Sequence, residues 1–149
     1  MTPSEKPSPG LARRMKHAAR VARTHAYAPY SGFRVGAAVL AGDGRVFSGS
    51  NVENASYGLT VCAERNAVFR AVGAGAKAIT AVVIVAGAGE PAPPCGACRQ
   101  VLSEFGVDVP VISYSVGGRV LRTNILELLP HPFGGEQLRR KRSSRRSNT

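Results

Sequence analysis

Three cysteines and one glutamate in this sequence have the side-chain types and the spacing that metal-assisted chemistry needs. Cys62 and Glu64 lie in a Cys-Ala-Glu-Arg segment, and Cys95 and Cys98 lie in a later Pro-Cys-Gly-Ala-Cys segment. These are the only three cysteines of the chain. Three protein ligands with one open position are typical of catalytic zinc sites, and thiolate sulfur is a good zinc ligand. Because no histidine lies in either segment, we expect one zinc ion per subunit with water as its fourth ligand.

Both segments open a predicted helix, where the helix dipole and the free N–H groups favour thiolate over thiol. Cys95 and Cys98 then point to the same side. Glu64 shares an apolar helix face, where a carboxylate is costly unless it has a function. Residues two apart on a regular helix point in nearly opposite directions, so Cys62 must lie at the helix end if it joins Glu64. Arg65 is expected to donate hydrogen bonds to the sulfurs and offset their negative charge.

Other interpretations of these segments remain open. A single Cys-x-x-Cys is also typical of a redox pair or of half a structural zinc site, and three core cysteines can occur by chance. The redox interpretation leaves Cys62 and Glu64 without a role, and a four-cysteine site lacks its fourth cysteine. Cys-x-Glu followed by Pro-Cys-x-x-Cys instead matches the three-cysteine form of the zinc deaminase pattern, so the sequence favours a catalytic zinc site.

The elements that must position these segments alternate along the chain. Apolar periodicity and Gly/Pro punctuation predict nine elements in the order α-β-β-α-β-α-β-β-α. Helices are expected over residues 11–25, 61–72, 95–105 and 124–129, and strands over residues 34–41, 45–49, 79–85, 109–115 and 119–122. Residues 50–60 are expected to form a loop. Layer rules then predict an α/β fold with a mixed sheet of about five strands flanked by helices.

The length and charge of the chain indicate one domain with polar ends. The chain has 149 residues and a net charge of +11, and residues 139–146 carry six bases and no acid. We expect a flexible leader over residues 1–10, one domain over residues 11–138 and a disordered basic tail over residues 139–149. No aromatic residue interrupts the basic run, so a solvated tail is favoured over specific nucleic-acid binding. We expect no membrane association, because the sequence has no long apolar stretch. An odd number of cysteines without a secretory signal favours the cytoplasm.

Five segments together resemble the small, homotetrameric cytidine deaminases that act on free nucleosides. The resemblance covers residues 18–138 and implies their three-layer fold. The segments are Ala28-Pro29-Tyr30-Ser31 with Phe33 and Val35-Gly36-Ala37-Ala38, Asn51-Val52-Glu53-Asn54-Ala55-Ser56-Tyr57, Cys62-Ala63-Glu64-Arg65, Pro94-Cys95-Gly96-Ala97-Cys98-Arg99-Gln100-Val101 and Glu127-Leu128-Leu129-Pro130.

The resemblance also implies roles for individual residues. Cys62, Cys95 and Cys98 would bind zinc, and Glu64 would shuttle protons. Asn51 and Glu53 would contact the ribose hydroxyls, with Phe33 beside the pyrimidine. Neighbouring subunits of a homotetramer would contribute three more residues to each site, namely Ala55, Tyr57 and Phe133.

The residues alone support these substrate contacts less specifically than the zinc site. An amide and a carboxylate two residues apart can bind a vicinal hydroxyl pair, yet Asn51 and Glu53 also suit an Asx-turn and a solvated loop acid. Phe33 suits a core position, and Tyr57 and Phe133 are ambiguous.

The predicted function is zinc-dependent hydrolytic deamination of cytidine and 2′-deoxycytidine to uridine and 2′-deoxyuridine with release of ammonia, in pyrimidine salvage. The alternative is a deaminase of a modified or antibiotic cytosine nucleoside, of the blasticidin S type. A polynucleotide-editing enzyme is disfavoured, because a site that closes on both ribose hydroxyls leaves no exit for a continuing strand. A zinc-stabilised RNA-binding protein is the less favoured non-enzyme alternative, and it predicts salt-sensitive RNA binding without ammonia release.

Overall fold

A five-stranded mixed sheet forms the middle layer of the computed structural model, which describes residues 5–139. The strands are β1 (Val35–Ala41), β2 (Val46–Ser50), β3 (Ile79–Ala86), β4 (Pro110–Tyr114) and β5 (Val120–Asn124), in the spatial order β2-β1-β3-β4-β5. Only β3 and β4 pair in parallel, and the other neighbours are antiparallel. The helices are α1 (Pro9–Thr24), α2 (Ala63–Gly73), α3 (Gly96–Phe105) and α4 (Ile125–Leu128), with short 3₁₀ turns at Tyr57–Leu59 and Gly135–Gln137.

The helices cover the two faces of the sheet unequally, which makes three layers. On one face, Met15 and Ala19 of α1 pack on alternate residues of β1 and β3. On the other face, residues of α2, α3 and α4 pack on the remaining strand positions, with Leu102 and Ile125 buried at the centre. The predicted α/β fold with a five-stranded sheet between helical layers is confirmed.

Two glycines let helices lie directly against the sheet. A Cβ atom on Gly36 of β1 would lie 1.9 Å from the carbonyl oxygen of Ala19 in α1. A Cβ atom on Gly49 of β2 would lie 2.6 Å from the backbone nitrogen of Ala67 in α2. Any side chain at Gly49 would therefore displace α2, the helix that begins beside Cys62 and carries Glu64.

The predicted order of the nine helices and strands is confirmed, while several boundaries differ. Helix α1 begins at Pro9, so Pro9 and Gly10 are helical and not part of a leader. The reason is local, because the Ser8 side chain accepts a hydrogen bond from the Leu11 backbone and proline suits the first helical turn. The basic run predicted to be disordered lies outside the described residues except for Arg139.

Within residues 5–139, no helix combines the length and the apolar character that crossing a bilayer requires.

Candidate active site

Three sulfur atoms meet where two helices of one layer begin. Cys62 and Cys95 are the N-cap residues of α2 and α3, both with extended backbone (ψ 156° and 169°), and Cys98 lies in the first turn of α3. The Sγ atoms of Cys62, Cys95 and Cys98 all lie within 4.8 Å of one another, and those of Cys62 and Cys95 are 3.6 Å apart. The expectation that Cys62 lies outside regular helix geometry is confirmed.

The donor set fits a zinc ion with one open position. Tetrahedral coordination with Zn–S bonds of about 2.3 Å places sulfurs about 3.8 Å apart, close to the Cys62–Cys95 separation. All three thiols are free of disulfides, and they range from buried Cys98 to exposed Cys95. The sulfurs therefore close one side of the site and leave another open to the cavity described below.

The guanidinium of Arg65 lies beside the Cys62 sulfur. Its Nη2 lies 3.5 Å from the Cys62 Sγ and 3.5 Å from the Thr60 carbonyl oxygen. Its Nε is buried without a hydrogen-bond partner among the described residues, which fits a site whose sulfurs are anionic when loaded. A hydrogen bond from Cys98 and the adjacent guanidinium lower the pKa of the Cys62 thiol to about 5. The contact between the Cys62 and Cys98 sulfurs, together with burial, raises the pKa of the Cys98 thiol.

Glu64 is a carboxylate in contact with this group. Helix α2 buries it at 5% exposure, with its side chain toward Cys98. Burial is the main cause that raises the pKa of Glu64 to about 6, although the hydrogen bond from Cys98 acts in the opposite direction. A carboxyl group whose pKa is this close to neutrality can both accept and donate a proton during one reaction.

A cavity of about 240 Å³ connects the sulfurs to a polar loop. Cys62, Cys95 and Glu64 line one end, and Ile84 of β3 contributes to its wall. The other end is lined by residues predicted to contact substrate together with one that was not, namely Phe33, Asn51, Glu53 and Ser31. A larger cavity of about 610 Å³ lies between α1, α2 and β2. None of the predicted site residues lines that larger cavity, so the candidate chemistry belongs to the smaller one.

Asn51 is buried at the polar end, and the carbonyl and NH₂ groups of its side chain both form hydrogen bonds to the backbone. Its Oδ1 accepts from the Val35 N–H at 2.8 Å, and its Nδ2 donates to the Phe33 carbonyl at 2.7 Å. An amide has a second donor and a second acceptor position, so each group keeps capacity for one more bond. Asn51 therefore shapes the cavity wall whatever else it binds.

Glu53 is likewise bound to a neighbouring turn. Its Oε1 accepts from the backbone N–H groups of Tyr30 and Ser31 at 2.9 and 3.1 Å, and its Oε2 accepts from the Ser31 hydroxyl at 2.5 Å. The hydrogen bond from the Ser31 side chain is the main cause that lowers the pKa of Glu53. The acid stays ionised and is held by a defined turn.

The remaining three predicted substrate residues do not line the cavity of their own chain. Tyr57 is 74% exposed and Phe133 is 58% exposed, and Ala55 is exposed as well. The Tyr57 ring packs edge-on against Tyr30, with ring centroids 5.9 Å apart. These side chains are free to reach another molecule.

Sequence reasoning missed residues that hold the site without lying beside the sulfurs. Ser31 lies in one of the segments that carry the family resemblance, but no role was predicted for it. Arg99 donates from Nε to the Pro94 carbonyl at 2.7 Å and from Nη1 to the Leu128 carbonyl at 3.1 Å, which ties the second cysteine segment to α4. Buried Ser113 donates to the Ala92 carbonyl at 2.6 Å and fixes the loop that lines the cavity. In the sequence, the residues that form these contacts stand out only as polar residues next to a motif or inside a strand.

Comparisons with known proteins agree with this geometry. Residues 11–114 match the family described as "Cytidine and deoxycytidylate deaminase zinc-binding region". The chain is 48% identical over 118 residues to a cytidine deaminase of Halalkalibacterium halodurans, covering 78% of this chain and 89% of that protein. A cytidine deaminase of Sporosarcina psychrophila is 47% identical over 118 residues, covering 78% and 87%. The crystal structure of cytidine deaminase from Burkholderia pseudomallei superposes with a TM-score of 0.77 at 48% identity, covering 81% of this chain and 98% of that one.

Proposed function

Because this chain belongs to the cytidine and deoxycytidylate deaminase family, we propose that it hydrolyses the C4 amino group of cytidine and 2′-deoxycytidine. The products are uridine or 2′-deoxyuridine and ammonia. One observation carries the proposal: a buried carboxyl group, Glu64, lies against a group of three sulfurs at the end of a cavity that Phe33 also lines.

The three cysteines would hold the metal, and Glu64 moves the protons. Bound by Cys62, Cys95 and Cys98, a zinc ion would lower the pKa of the attacking water toward neutrality. Glu64 accepts a proton from the attacking water and donates it to N3 of the pyrimidine, which makes C4 electrophilic. After the C4–O bond forms, Glu64 carries the second proton of that water from the C4 hydroxyl to the exocyclic amine. The C4–N bond then breaks, and ammonia leaves as the C4 carbonyl forms.

The polar end of the cavity suits the sugar. Phe33 lines the cavity beside Asn51 and Glu53 and offers an apolar ring to the pyrimidine, while these two residues keep hydrogen-bonding capacity for the ribose hydroxyls. Glu53 has accepted three hydrogen bonds in the free chain, and a carboxylate has about four acceptor positions. One position therefore remains for a sugar hydroxyl.

A homotetramer would complete each site. Ala55, Tyr57 and Phe133 are exposed and lie outside their own chain's cavity, and Leu59 and Phe69 expose apolar side chains as well. Tyr57 and Leu59 lie on one 3₁₀ turn, and exposed apolar side chains grouped in this way are typical of protein interfaces. We therefore assign the three predicted residues to the site of a neighbouring subunit.

Complementation between variants tests this assembly. Tyr57→Ala and Glu64→Gln should each be strongly impaired when assembled alone. Co-assembled subunits should regain activity, because some sites then combine Glu64 from one subunit with Tyr57 from another. A matched pair, Cys98→Ala with Glu64→Gln, disables the same half of the site and should regain none. If the first pair also regained no activity in a mixed oligomer confirmed by native mass spectrometry, the shared-site assignment would be wrong.

The cytoplasm is the compartment that suits this chemistry. Reduced thiols persist there, and all three cysteines are needed as free ligands. Fractionation of the native host's cells should recover the protein and its activity in the cytoplasmic fraction.

The test of the function is ammonia release with uridine formation from purified, zinc-loaded protein. Cytidine, 2′-deoxycytidine, blasticidin S and a cytosine-containing oligonucleotide should be compared at equal concentration. We expect the two free nucleosides to react fastest, and removal of residues 139–149 to leave that preference unchanged. Faster turnover of blasticidin S or of the oligonucleotide would replace the proposed substrate.

A further inference from the structure

The hydroxyl of Ser31 joins two residues that line the candidate cavity. Ser31 Oγ donates to Glu53 Oε2 at 2.5 Å and accepts from the Phe33 backbone N–H at 3.0 Å. A serine hydroxyl has one hydrogen to donate. Since the Phe33 N–H occupies an acceptor position, the single hydrogen is left for the Glu53 carboxylate.

The backbone N–H and carbonyl groups of Phe33 are both hydrogen-bonded to side chains. Its N–H is bound by Ser31, and its carbonyl oxygen accepts from the Asn51 side chain at 2.7 Å. Asn51 is buried, so the far end of this chain of contacts is anchored in the domain. The orientation of the Ser31 hydroxyl is therefore set by the fold and is not free to rotate as on an ordinary exposed serine.

The Ser31 contact decides which acceptor position of Glu53 stays open. Oε1 is bound by two backbone N–H groups, and Oε2 is bound by Ser31 alone. The remaining capacity of the carboxylate therefore lies on Oε2, the oxygen that Ser31 fixes. Charge-assisted bonds of this length are stronger than bonds between neutral groups, and the lowered pKa of Glu53 agrees with a donor to the ionised form.

We propose that Ser31 is a positioning residue for sugar recognition, which orients the Glu53 carboxylate so that its open acceptor position faces the ribose hydroxyls of the substrate. This inference rests on the proposed function. Ser31 acts through Glu53 and takes no part in the proton transfers at the base.

The consequence is a loss that depends on the sugar. Ser31→Ala should lower kcat/KM for cytidine by roughly tenfold, since a hydrogen bond to a charged group is typically worth at least that factor. With 2′,3′-dideoxycytidine, which lacks both ribose hydroxyls, the same substitution should cost less than about twofold, within the scatter expected of surface changes. Ser31→Thr keeps the hydroxyl and should restore the wild-type ratio between the two substrates.

A double-mutant cycle with Glu53→Gln isolates the coupling. If Ser31 works through the carboxylate, Ser31→Ala should cost far less in the Glu53→Gln background than in the wild type. Ser8→Ala is the matched control, because that hydroxyl also binds a local backbone N–H but caps α1, away from the cavity. It should leave the substrate ratio unchanged. Zinc content and thermal midpoint are measured for every variant.

The outcomes separate this inference from the proposed function. Equal losses on both substrates, or an undiminished cost of Ser31→Ala in the Glu53→Gln background, would show a general role in the turn and overturn the inference alone. A wild-type protein that holds zinc but does not deaminate cytidine would overturn the proposed function and the inference together. A ribose-dependent loss restored by threonine supports both.

Discussion

The two ends of the candidate cavity are built in opposite ways. At the metal end, the groups are placed by helix starts: Cys62 and Cys95 cap α2 and α3, and Cys98 and Glu64 follow in their first turns. At the polar end, called the sugar end below because we propose that it binds the ribose, Asn51 and Glu53 lie outside the helices and strands. Their side chains are held by hydrogen bonds to the turn that precedes β1. The three sulfurs of the metal end come from one chain, whereas Tyr57, which we propose serves the site of a neighbouring subunit, is exposed.

The two carboxyl groups show what the difference means for chemistry. Burial raises the pKa of Glu64 to about 6, which suits proton transfer. Hydrogen bonds from Ser31 and Tyr30 lower the pKa of Glu53, which suits a fixed acceptor. The surroundings thus shift the pKa of one residue type in opposite directions, which agrees with the two roles we propose. We expect changes at the metal end to abolish reactivity and changes at the sugar end to weaken recognition.

The largest effect is expected from Cys98→Ala. It removes the buried sulfur from the group of three, and two cysteines should not retain stoichiometric zinc. We expect the metal content to fall well below one per chain and ammonia release from cytidine to become undetectable. Ala97→Ser, on the same helical turn but exposed, is the control and should keep both. Full activity of Cys98→Ala would show that reactivity does not depend on the metal end.

An intermediate effect is expected from Asn51→Ala at the sugar end. The substitution leaves the Val35 N–H and the Phe33 carbonyl without their partner, at a cost of about 1–3 kcal/mol for each buried group that stays unpaired. Urea unfolding should show the lower stability, and the KM for cytidine should rise while zinc stays bound. Ser56→Ala lies on the same loop, and its side chain is exposed and forms no cap hydrogen bond to the following turn, so it should change neither quantity. Loss of zinc from Asn51→Ala would show that metal binding also depends on the sugar end of the cavity.

The smallest effect is expected from the pH dependence of Glu53. Its pKa is lower in the folded chain than the ordinary value of 4.5. The stability it contributes is therefore present above that value and is lost as pH falls through the folded pKa. Below pH 4.5, the urea midpoint of the wild type should fall more steeply than that of Glu53→Gln. The control Glu104→Gln, at an exposed position of α3, should follow the wild type. Parallel curves for all three would remove the evidence for a charged, hydrogen-bonded Glu53.

The metal end was the more predictable from sequence, for a physical reason. Thiols at helix starts and an acid on an apolar face are local patterns, and the position of Cys62 followed from helix geometry once Cys62 and Glu64 were assigned to one site. The order of strands and helices was readable for the same reason, because each carries its own periodicity. The start of α1 was missed because Ser8 and Pro9 extend the helix into a segment whose prolines suggested a flexible leader.

The sugar end was less predictable because its contacts join distant parts of the chain. Asn51 holds Phe33 and Val35 through one side chain, and Glu53 holds Ser31 across 22 residues. No periodic pattern reports such pairs. From the residues alone, Asn51 and Glu53 were better explained as an Asx-turn residue and a solvated loop acid than as substrate contacts. The structure shows that they do organise a turn and that this turn lines the cavity.

The most direct test of the account is the Glu64→Gln variant, with zinc content and ammonia release from cytidine measured on the same preparation. Glutamine keeps the size of the side chain and cannot relay a proton as the carboxyl group does. We expect zinc to remain near the wild-type level while kcat falls by roughly 10²–10⁴-fold, the usual contribution of general acid–base catalysis. A zinc-loaded Glu64→Gln protein with near wild-type kcat would contradict the account, because the buried carboxyl group would then have no part in the reaction.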